Sequence, residues 1–241
     1  MTVANAGLGF FPSSTSKKLI GASIVISSHF LCKIKDVRTC SSTTTVSFIM
    51  SSIPRSFLHS LPAAPHIDVS TIKGNISDEE KQLGANIFSY FVNSREESYG
   101  AEVGRRLRLV EMNIWGRDAC GTAAQGQTIF EIDVEKDMCN VFGTLHGACA
   151  AYIVDPCSVS SLVVLGAAIG ADGTGVSQSL NVIWHQPAKM GTKLRVVSTS
   201  VFIHGRIRTA RCELWDKERD KLYVSAIHTT VNNTRPSLAK L

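Results

Sequence analysis

The residues best placed for chemistry lie around the predicted start of an apolar helix. Asn140 and the pair His146–Gly147 come just before this helix, and Asp155 lies inside it. The first backbone N–H groups of a helix lack intrahelical partners and sit at the positive end of its dipole, so they favour an oxyanion. Gly147 has no side chain to block a substrate carbonyl. The segment predicts a site that polarises a carbonyl group; an ordinary turn before a helix is the alternative.

Asp155 needs a partner or a function, because an unpaired carboxylate is costly inside so apolar a helix. At a rise of about 1.5 Å per residue, Asp155 lies roughly 12 Å along the helix axis from Gly147. One helix cannot bring both residues to one carbonyl group. Two chains paired about a twofold axis with antiparallel helices would place Asp155 of one chain opposite Gly147 of the other. The alternative is an aspartate bonded to nearby backbone or to a serine.

Two helices are predicted, of which the first is expected to serve packing and the second to carry the site residues. Ser77-Asp-Glu-Glu80 is a capping box, and apolar residues then recur at helical spacing, which predicts a helix from about 77 to 94. A second helix, from Gly147 to about Gly166, carries scarcely a charge and is apolar nearly all round. Such a helix is typical of a protein core rather than of a surface.

Strands are predicted on either side of the buried helix. In strand 176–185 the bulky side chains alternate with Ser177, Ser179 and Asn181, so Ser177 need not belong to the core. The order strand, strand, buried helix and four strands favours one antiparallel sheet wrapped around a long central helix, an α+β fold. The predicted strands are Leu107 to Trp115, 128–134, 176–185, 193–203, 206–215 and 221–231.

Several segments of this sequence, in this order and spacing, resemble the hotdog-fold acyl-CoA thioesterases. The similarity is to the branch of thioesterase superfamily member two and the phenylacetate-degradation (PaaI-like) proteins, and it covers roughly residues 105–232. The segments are Asn140-Val-Phe-Gly-Thr-Leu-His146-Gly147, Asp155, Gly175-Val-Ser177, Pro187-Ala-Lys189-Met-Gly191 and Ala226-Ile-His228-Thr.

The resemblance implies a role for each matching residue. Asn140 and Gly147 would polarise the thioester carbonyl. Asp155, from the partner subunit, would activate the attacking water or attack as a nucleophile, and Ser177 would help hold that water. His146 would be an orienting group rather than the base. The implied reaction converts acyl-CoA and water into a carboxylic acid and free coenzyme A, without metal or cofactor.

Two arginines beside the Gly205 turn are candidate contacts for the substrate. Arg206 and Arg208 could bind the phosphates of coenzyme A; solvated strand charges are the alternative. The implied partners are an acyl-CoA substrate and further copies of the same chain, as a homodimer or a dimer of dimers.

Pro156, directly after Asp155, departs from the family pattern, in which a helix-compatible residue such as Asn or Thr follows the aspartate. A proline inside a helix removes one hydrogen bond and crowds the carbonyl of Tyr152, at a cost of about 3 kcal/mol. A kink there would move the Asp155 carboxylate. The competing function is therefore a non-catalytic hotdog dimer that binds acyl-CoA or lipid.

Two other chemistries are disfavoured by the sequence. A hotdog hydratase acting on enoyl-CoA would need an Asp and His pair, and no histidine follows Asp155 at short spacing. A nucleophilic Cys149 would need a lowered thiol pKa, and buried helix cysteines more often act as small hydrophobic residues. The histidines and the seven cysteines also lack metal-ligand spacing, including any C-x-x-C pair.

Charge and hydropathy exclude further classes of partner. The net charge of +5 comes from the N-terminal end, where residues 1–60 hold six basic residues and one acidic residue. The remaining chain is balanced, so a nucleic-acid partner is not expected. No uninterrupted apolar run reaches the roughly 18 residues of a membrane span, so no stable membrane insertion is expected.

The chain is expected to divide near residue 65. Residues 1–65 are rich in Ser and Thr and poor in acids, which is typical of a disordered or targeting segment, and Met50 heads a shorter possible start. Residues 66–241 are predicted to form the hotdog domain. The expected location is intracellular, with the cytoplasm and the mitochondrion both open.

Overall fold

The structure is a computed structural model that describes residues 58–64, 67–93, 96–116 and 124–232. Most of the segment predicted to be disordered or targeting lies outside these ranges. Its described end, residues 58–64, is packed: Leu58 and Leu61 are buried in one apolar cluster with Ile87 and Val163. The packed part of the chain therefore begins before the predicted boundary at residue 65.

Between residues 67 and 232 the described chain forms three α-helices, α1 (Asp78–Asn93), the short α2 (Ala101–Gly104) and α3 (Gly147–Ile169). The predicted capping box before α1 is confirmed: the Ser77 amide donates to Glu80 Oε2 at 2.9 Å, and the Glu80 amide donates to Ser77 Oγ at 3.2 Å. α3 continues through Pro156 and ends at Ile169 rather than near Gly166. Its terminus is set by Gly170, whose φ of 69° is readily adopted only by glycine.

The described residues form one seven-stranded sheet in the order β1-β2-β3-β5-β6-β7-β4. Every strand pair is antiparallel except β1 with β2, so the predicted antiparallel sheet is confirmed and the short β1 is an addition to it. The strands are β1 (Lys73–Gly74), β2 (Arg108–Trp115), β3 (Gln125–Asp133), β4 (Val176–Trp184), β5 (Lys193–His204), β6 (Ile207–Asp216) and β7 (Leu222–Val231).

The core lies between α3 and the sheet, which confirms the hotdog arrangement. Ile153 and Val154 of α3 are buried with Phe130, Leu194 and Leu214 from the strands. Burying such side chains contributes about 1.5–3 kcal/mol each, which explains why a helix without a polar face is stable here. α1 packs against α3 as well, and the centroid of its Phe88 ring lies 4.5 Å from that of Phe130 in β3.

Contrary to the sequence prediction, the described residues include one helix, α3, that is long and apolar enough to span a membrane. Asp155 and Pro156 interrupt the apolar run, but the mean hydropathy of α3 stays as high as that of a membrane-spanning helix. Of the most apolar part of α3, 61% is buried inside the fold. The hydropathy of α3 is therefore explained by its place in the core.

β4 forms one edge of the sheet, with β7 as its single neighbour among the described strands. Most of its side chains are exposed, including large apolar ones at Val176, Leu180, Ile183 and Trp184. The register with β7 shifts between Ser177 and Ser179, which marks a β-bulge at the start of the strand. Bulges redirect side chains locally, so the simple alternation predicted for β4 does not hold at Ser177.

Candidate active site

Asp155 is the centre of a small polar cluster on α3. Its side chain is 47% exposed, and its Oδ1 accepts a hydrogen bond from Ser177 Oγ at 2.8 Å. On the inner side, His228 Nε2 lies 3.3 Å from the same oxygen. The cluster joins three elements, because Asp155 belongs to α3, Ser177 to the edge strand β4 and His228 to β7.

The local backbone explains how Ser177 reaches Asp155. Ser177 stands at the β-bulge of β4, where the pairing with β7 slips by a residue. Gly175, just before the strand, lies so close to β7 that an added Cβ would come within 2.8 Å of Thr230 Oγ1. A larger residue would push the start of β4 outward, so this glycine permits the close approach of β4 to β7 next to Ser177.

His228 is the residue of the cluster that the site prediction missed. It is wholly buried on the inner face of β7, and its Nδ1 lies 2.6 Å from Ser158 Oγ of α3. Burial lowers the pKa of His228, whereas the nearby charge of Asp155 acts in the opposite direction. The absence of a histidine close to Asp155 in sequence was misleading, since β7 supplies one from much later in the chain. The strand alternation that buries Ala226 could have placed His228 on the same inner face.

A cavity of about 400 Å³ opens beside Asp155, between α1 and α3. Its walls are mostly apolar and aromatic, while Asp155 and Ser177 supply polar groups at one side. Pockets of this size and composition are typical of small-molecule sites. The aromatic and apolar lining includes Phe88, Phe91, Val92, Tyr99, Tyr152, Pro156 and Val159.

Asn140 and Gly147 lie in a different groove of the chain, of about 450 Å³, together with Trp184 at the end of β4. Asn140 Oδ1 accepts hydrogen bonds from the amides of Phe142, at 3.0 Å, and Thr144, at 3.4 Å. Because its own loop occupies the amide oxygen, the Nδ2 hydrogens of Asn140 are the donors left for a ligand. Gly147 is the first residue of α3, where free backbone N–H groups can meet an oxyanion.

His146 caps α3. Its Nδ1 accepts a hydrogen bond from the Ala148 amide at 3.0 Å, which places the imidazole as an N-cap. This contact fits the orienting role predicted for His146, since it occupies the nitrogen that would otherwise accept a proton. No structural feature assigns it the role of base.

Within one chain, the predicted site residues fall into two separate groups. Asp155 and Ser177 line the cavity between α1 and α3, whereas Asn140 and Gly147 line the other groove, and the two sets of lining residues do not overlap. A single copy therefore offers a carboxylate at one place and carbonyl-polarising donors at another.

The predicted phosphate contact of Arg208 is disfavoured by the position of its side chain. Arg208 is 3% exposed, and it donates from Nε to the Asp172 carbonyl at 2.9 Å and from Nη1 to the Gly205 carbonyl at 3.1 Å. Strand register turns it inward, where it satisfies backbone oxygens instead of meeting a ligand. Arg206 Nε donates to the Asn232 carbonyl at 3.2 Å.

Two further sequence hypotheses meet physical objections. Burial raises the pKa of the Cys149 thiol to about 11, which disfavours a nucleophilic thiolate there. Pro156 lies within an unbroken α3 and lines the cavity beside Asp155, so the helix accommodates it. The described residues also contain no group of three His, Cys, Asp or Glu side chains that could hold a metal ion.

No protein-family model matches the chain, but curated proteins and solved structures do. Acyl-coenzyme A thioesterase 13 of Homo sapiens is 32% identical over 117 residues, which are 48% of this chain and 80% of that protein. The Mus musculus protein of the same name is 33% identical over 109 residues, or 45% of this chain and 74% of that protein.

Among solved structures, zebra fish thioesterase superfamily member 2 matches with 22% identity and a TM-score of 0.49, covering 61% of this chain and 96% of that one. A hypothetical thioesterase from Streptococcus pneumoniae, crystallised with coenzyme A, matches with 17% identity and a TM-score of 0.43. That match covers 54% of this chain and 90% of the other.

Proposed function

The chain belongs to the hotdog-fold acyl-CoA thioesterases, and from that membership we propose a site shared by two copies in which Asp155 activates the hydrolytic water. The observation that carries the proposal is the contact of Ser177 Oγ with Asp155 Oδ1 at 2.8 Å, at the edge of an apolar cavity of about 400 Å³. A carboxylate held beside an apolar pocket can act as the general base that activates water for thioester hydrolysis.

The proposed reaction uses groups from both chains. Water held by Ser177 and Asp155 attacks the thioester carbonyl and gives its proton to the Asp155 carboxylate. The resulting oxyanion is stabilised by the Gly147 backbone N–H and the Asn140 amide of the second copy. Collapse of the tetrahedral intermediate breaks the C–S bond, and the thiolate of coenzyme A leaves with a proton. The acyl group lies in the cavity between α1 and α3.

The exposed edge strand supports pairing of two copies. β4 presents large apolar side chains and an edge that has no neighbour in the described sheet, and such an edge is a template for another strand. Ser177 stands near one end of β4 and Trp184 at the other. Antiparallel β4–β4 pairing would therefore bring the Trp184 end of one copy, with Gly147 and Asn140, toward the Ser177 end of the other.

The loop after Asn140 supports the same interface. Val141 and Phe142 are 94% and 86% exposed, although both are large apolar side chains. Contiguous exposed apolar residues at the rim of a site indicate a surface that another molecule covers. A second copy seated on β4 would cover them. The predicted assembly is such a dimer or a pair of such dimers. The predicted location is the cytoplasm or the mitochondrion.

The test is release of free coenzyme A from acyl-CoAs of short, medium and long chain and with aromatic acyl groups, using the full chain. Asp155→Asn removes the base but keeps the shape of the side chain. It should lower kcat by about 100-fold or more. The matched control is Asp220→Asn, an exposed aspartate in a turn whose φ of 51° asparagine also tolerates.

Three outcomes of this test are decisive. Loss of turnover in Asp155→Asn alone, with the oligomer intact, supports the proposal. Full activity of Asp155→Asn would refute the mechanism. Tight acyl-CoA binding by the unmodified chain without turnover of any ester would instead support the non-catalytic binding function.

A further inference from the structure

His228 and Ser158 extend the Asp155 cluster into the core. His228 Nε2 lies 3.3 Å from Asp155 Oδ1, and His228 Nδ1 lies 2.6 Å from Ser158 Oγ. Nε2 makes no hydrogen bond within the described part of the chain, and Asp155 Oδ1 is the acceptor it approaches, although the ring is wholly buried. A buried polar atom without a hydrogen bond lowers the stability of the fold. Its position beside a candidate catalytic carboxylate therefore indicates a role in the site.

We propose that His228 is a positioning residue for hydrolysis: Ser158 donates to its Nδ1, and its Nε2–H holds Asp155 Oδ1. The inference rests on the function proposed above for Asp155. It adds a buried pair to that site, in which a serine sets the tautomer of the histidine and the histidine orients the carboxylate.

The choice of tautomer follows from the neighbours of the two ring nitrogens, Asp155 Oδ1 at Nε2 and Ser158 Oγ at Nδ1. If Nδ1 carried the proton, the lone pair of Nε2 would face the carboxylate oxygen of Asp155 across 3.3 Å with the ring shielded from solvent. This repulsion disappears when Nε2 carries the proton and Ser158 Oγ donates its one hydrogen to Nδ1 at 2.6 Å rather than to the Asp155 carbonyl, which lies 2.9 Å from the same hydroxyl. The contact of 3.3 Å is longer than an ideal N–H···O bond, and such catalytic contacts commonly tighten when the substrate binds.

The set Ser158, His228 and Asp155 contains the residue types of a serine hydrolase, but their exposure is reversed. Ser158 and His228 are wholly buried, while the Asp155 side chain is 47% exposed. A nucleophilic serine would have to meet the substrate, and Ser158 cannot. The chain of contacts therefore serves the aspartate rather than the serine.

The arrangement also separates the two oxygens of Asp155 by role. Oδ1 is occupied by Ser177 Oγ at 2.8 Å and by His228 Nε2 at 3.3 Å. With the Ser177 hydrogen bond and the proposed His228 contact both on Oδ1, Oδ2 is the atom left to take the proton from water. Rotation of the carboxylate would break the Ser177 hydrogen bond and move Oδ1 away from His228.

Pro156 explains why such support is useful at this position. Proline has no N–H, so the helix loses the hydrogen bond to the Tyr152 carbonyl in the turn that carries Asp155. The bond between His228 and Ser158 ties the same turn to β7. The contact with β7 thus holds the turn of α3 at which the helix lacks one backbone hydrogen bond.

The experiment compares His228→Leu with His228→Gln in the full chain, measuring kcat, KM and thermal melting. Leucine removes both nitrogens, and glutamine keeps an N–H₂ donor that can reach the position of Nε2. We expect His228→Leu to lower kcat by about 10- to 100-fold with little change in KM, and His228→Gln to recover most of that loss. His204→Gln is the matched control, because His204 is exposed at the end of β5 and lines neither the cavity of Asp155 nor the groove of Gly147.

A second measurement is independent of turnover and of the variants' folding. The ¹⁵N shifts of the His228 ring in the unmodified protein should show a neutral imidazole protonated at Nε2. An Nδ1–H tautomer in the unmodified protein, or full kcat in a folded His228→Leu, would overturn the inference. If the unmodified chain hydrolyses no acyl-CoA, the proposed function fails, while the tautomer measurement still tests the pair.

Discussion

Gly147 packs against the indole ring of Trp184: a Cβ built on Gly147 would lie 3.5 Å from the indole Nε1 and Cε2. This spacing is an ordinary van der Waals contact, so the folded chain has room for one methyl group but for little more. The space between the first turn of α3 and the indole is therefore wide enough for a substrate carbonyl only while residue 147 lacks a side chain.

Gly147→Ala is expected to fold normally and to catalyse poorly. Alanine is favoured over glycine in helices, so the melting temperature should be unchanged or higher. The added methyl group stands where the thioester oxygen must approach the backbone N–H, and kcat/KM should fall by about 10- to 100-fold. Calorimetry and steady-state kinetics check the two parts, and unchanged kcat/KM would exclude the N-terminus of α3 as the oxyanion site.

Mixing two inactive variants tests whether the site is shared between chains. Asn140→Ala and Asp155→Asn damage different halves of the proposed site. A heterodimer of the two contains one site with both residues intact and one with neither, so random pairing should restore about a quarter of the normal activity. The variants are unfolded together, refolded and assayed against each variant refolded alone. Failure of the mixture to gain activity, with heterodimers present, would place the complete site within one chain.

A single turnover in ¹⁸O-water tests for an anhydride of Asp155 that water opens at the Asp155 carbon. If Asp155 activates water, the first carboxylic acid released contains ¹⁸O and the enzyme does not. If Asp155 attacked the thioester itself and water opened the anhydride at the Asp155 carbon, the first product would take its oxygen from the side chain, and ¹⁸O would enter Asp155. Mass spectrometry of the product and of the peptide containing Asp155 measures both. The proposed mechanism requires label in the product.

The buried His228 should make the folded state less stable in mild acid. Its pKa in the folded chain is lowered by burial, while an unfolded histidine titrates near about 6.5. Below that pH the unfolded chain binds the proton more readily, so the free energy of unfolding should fall as the pH drops from 7 to 5, by at most about 1.4 kcal/mol per pH unit. Urea unfolding at several pH values measures this slope.

The comparison protein for the acid effect is His228→Gln, which has no titrating group at this position and should show a flatter dependence on pH. If acid stabilised the fold instead, the Asp155 charge would outweigh burial, and the buried ring would carry a proton in the folded state.

The sequence predicted the parts of the site that depend on local order. Gly147 begins a helix whose apolar character is visible in the sequence, and Asp155 stands out because it is a carboxylate inside that helix. Their separation along one helix axis also predicted two groups of residues instead of one. The structure places them accordingly in different cavities.

Contacts set by strand register were harder to predict. His228 reaches Asp155 only because β7 crosses beneath α3, and the bulge at Ser177 breaks the alternation on which its orientation was predicted. Arg208 was predicted at the surface because sequence alternation does not say which face of β6 is covered near Asp172. Leu58 and Leu61 were assigned to the tail because so short an apolar segment has no period of its own.

The edge strand β4 carries Ser177 at one end and Trp184 at the other. In the proposed pair, each copy of this strand borders both active sites, so one substitution in β4 alters two catalytic centres at once. Its residues must match their own reversed sequence across the twofold axis as well as suit the chemistry. Pairing of two copies and catalysis therefore depend on the same nine residues, Val176–Trp184. A substitution that changes the pairing in this strand also changes the active sites, and the reverse holds as well.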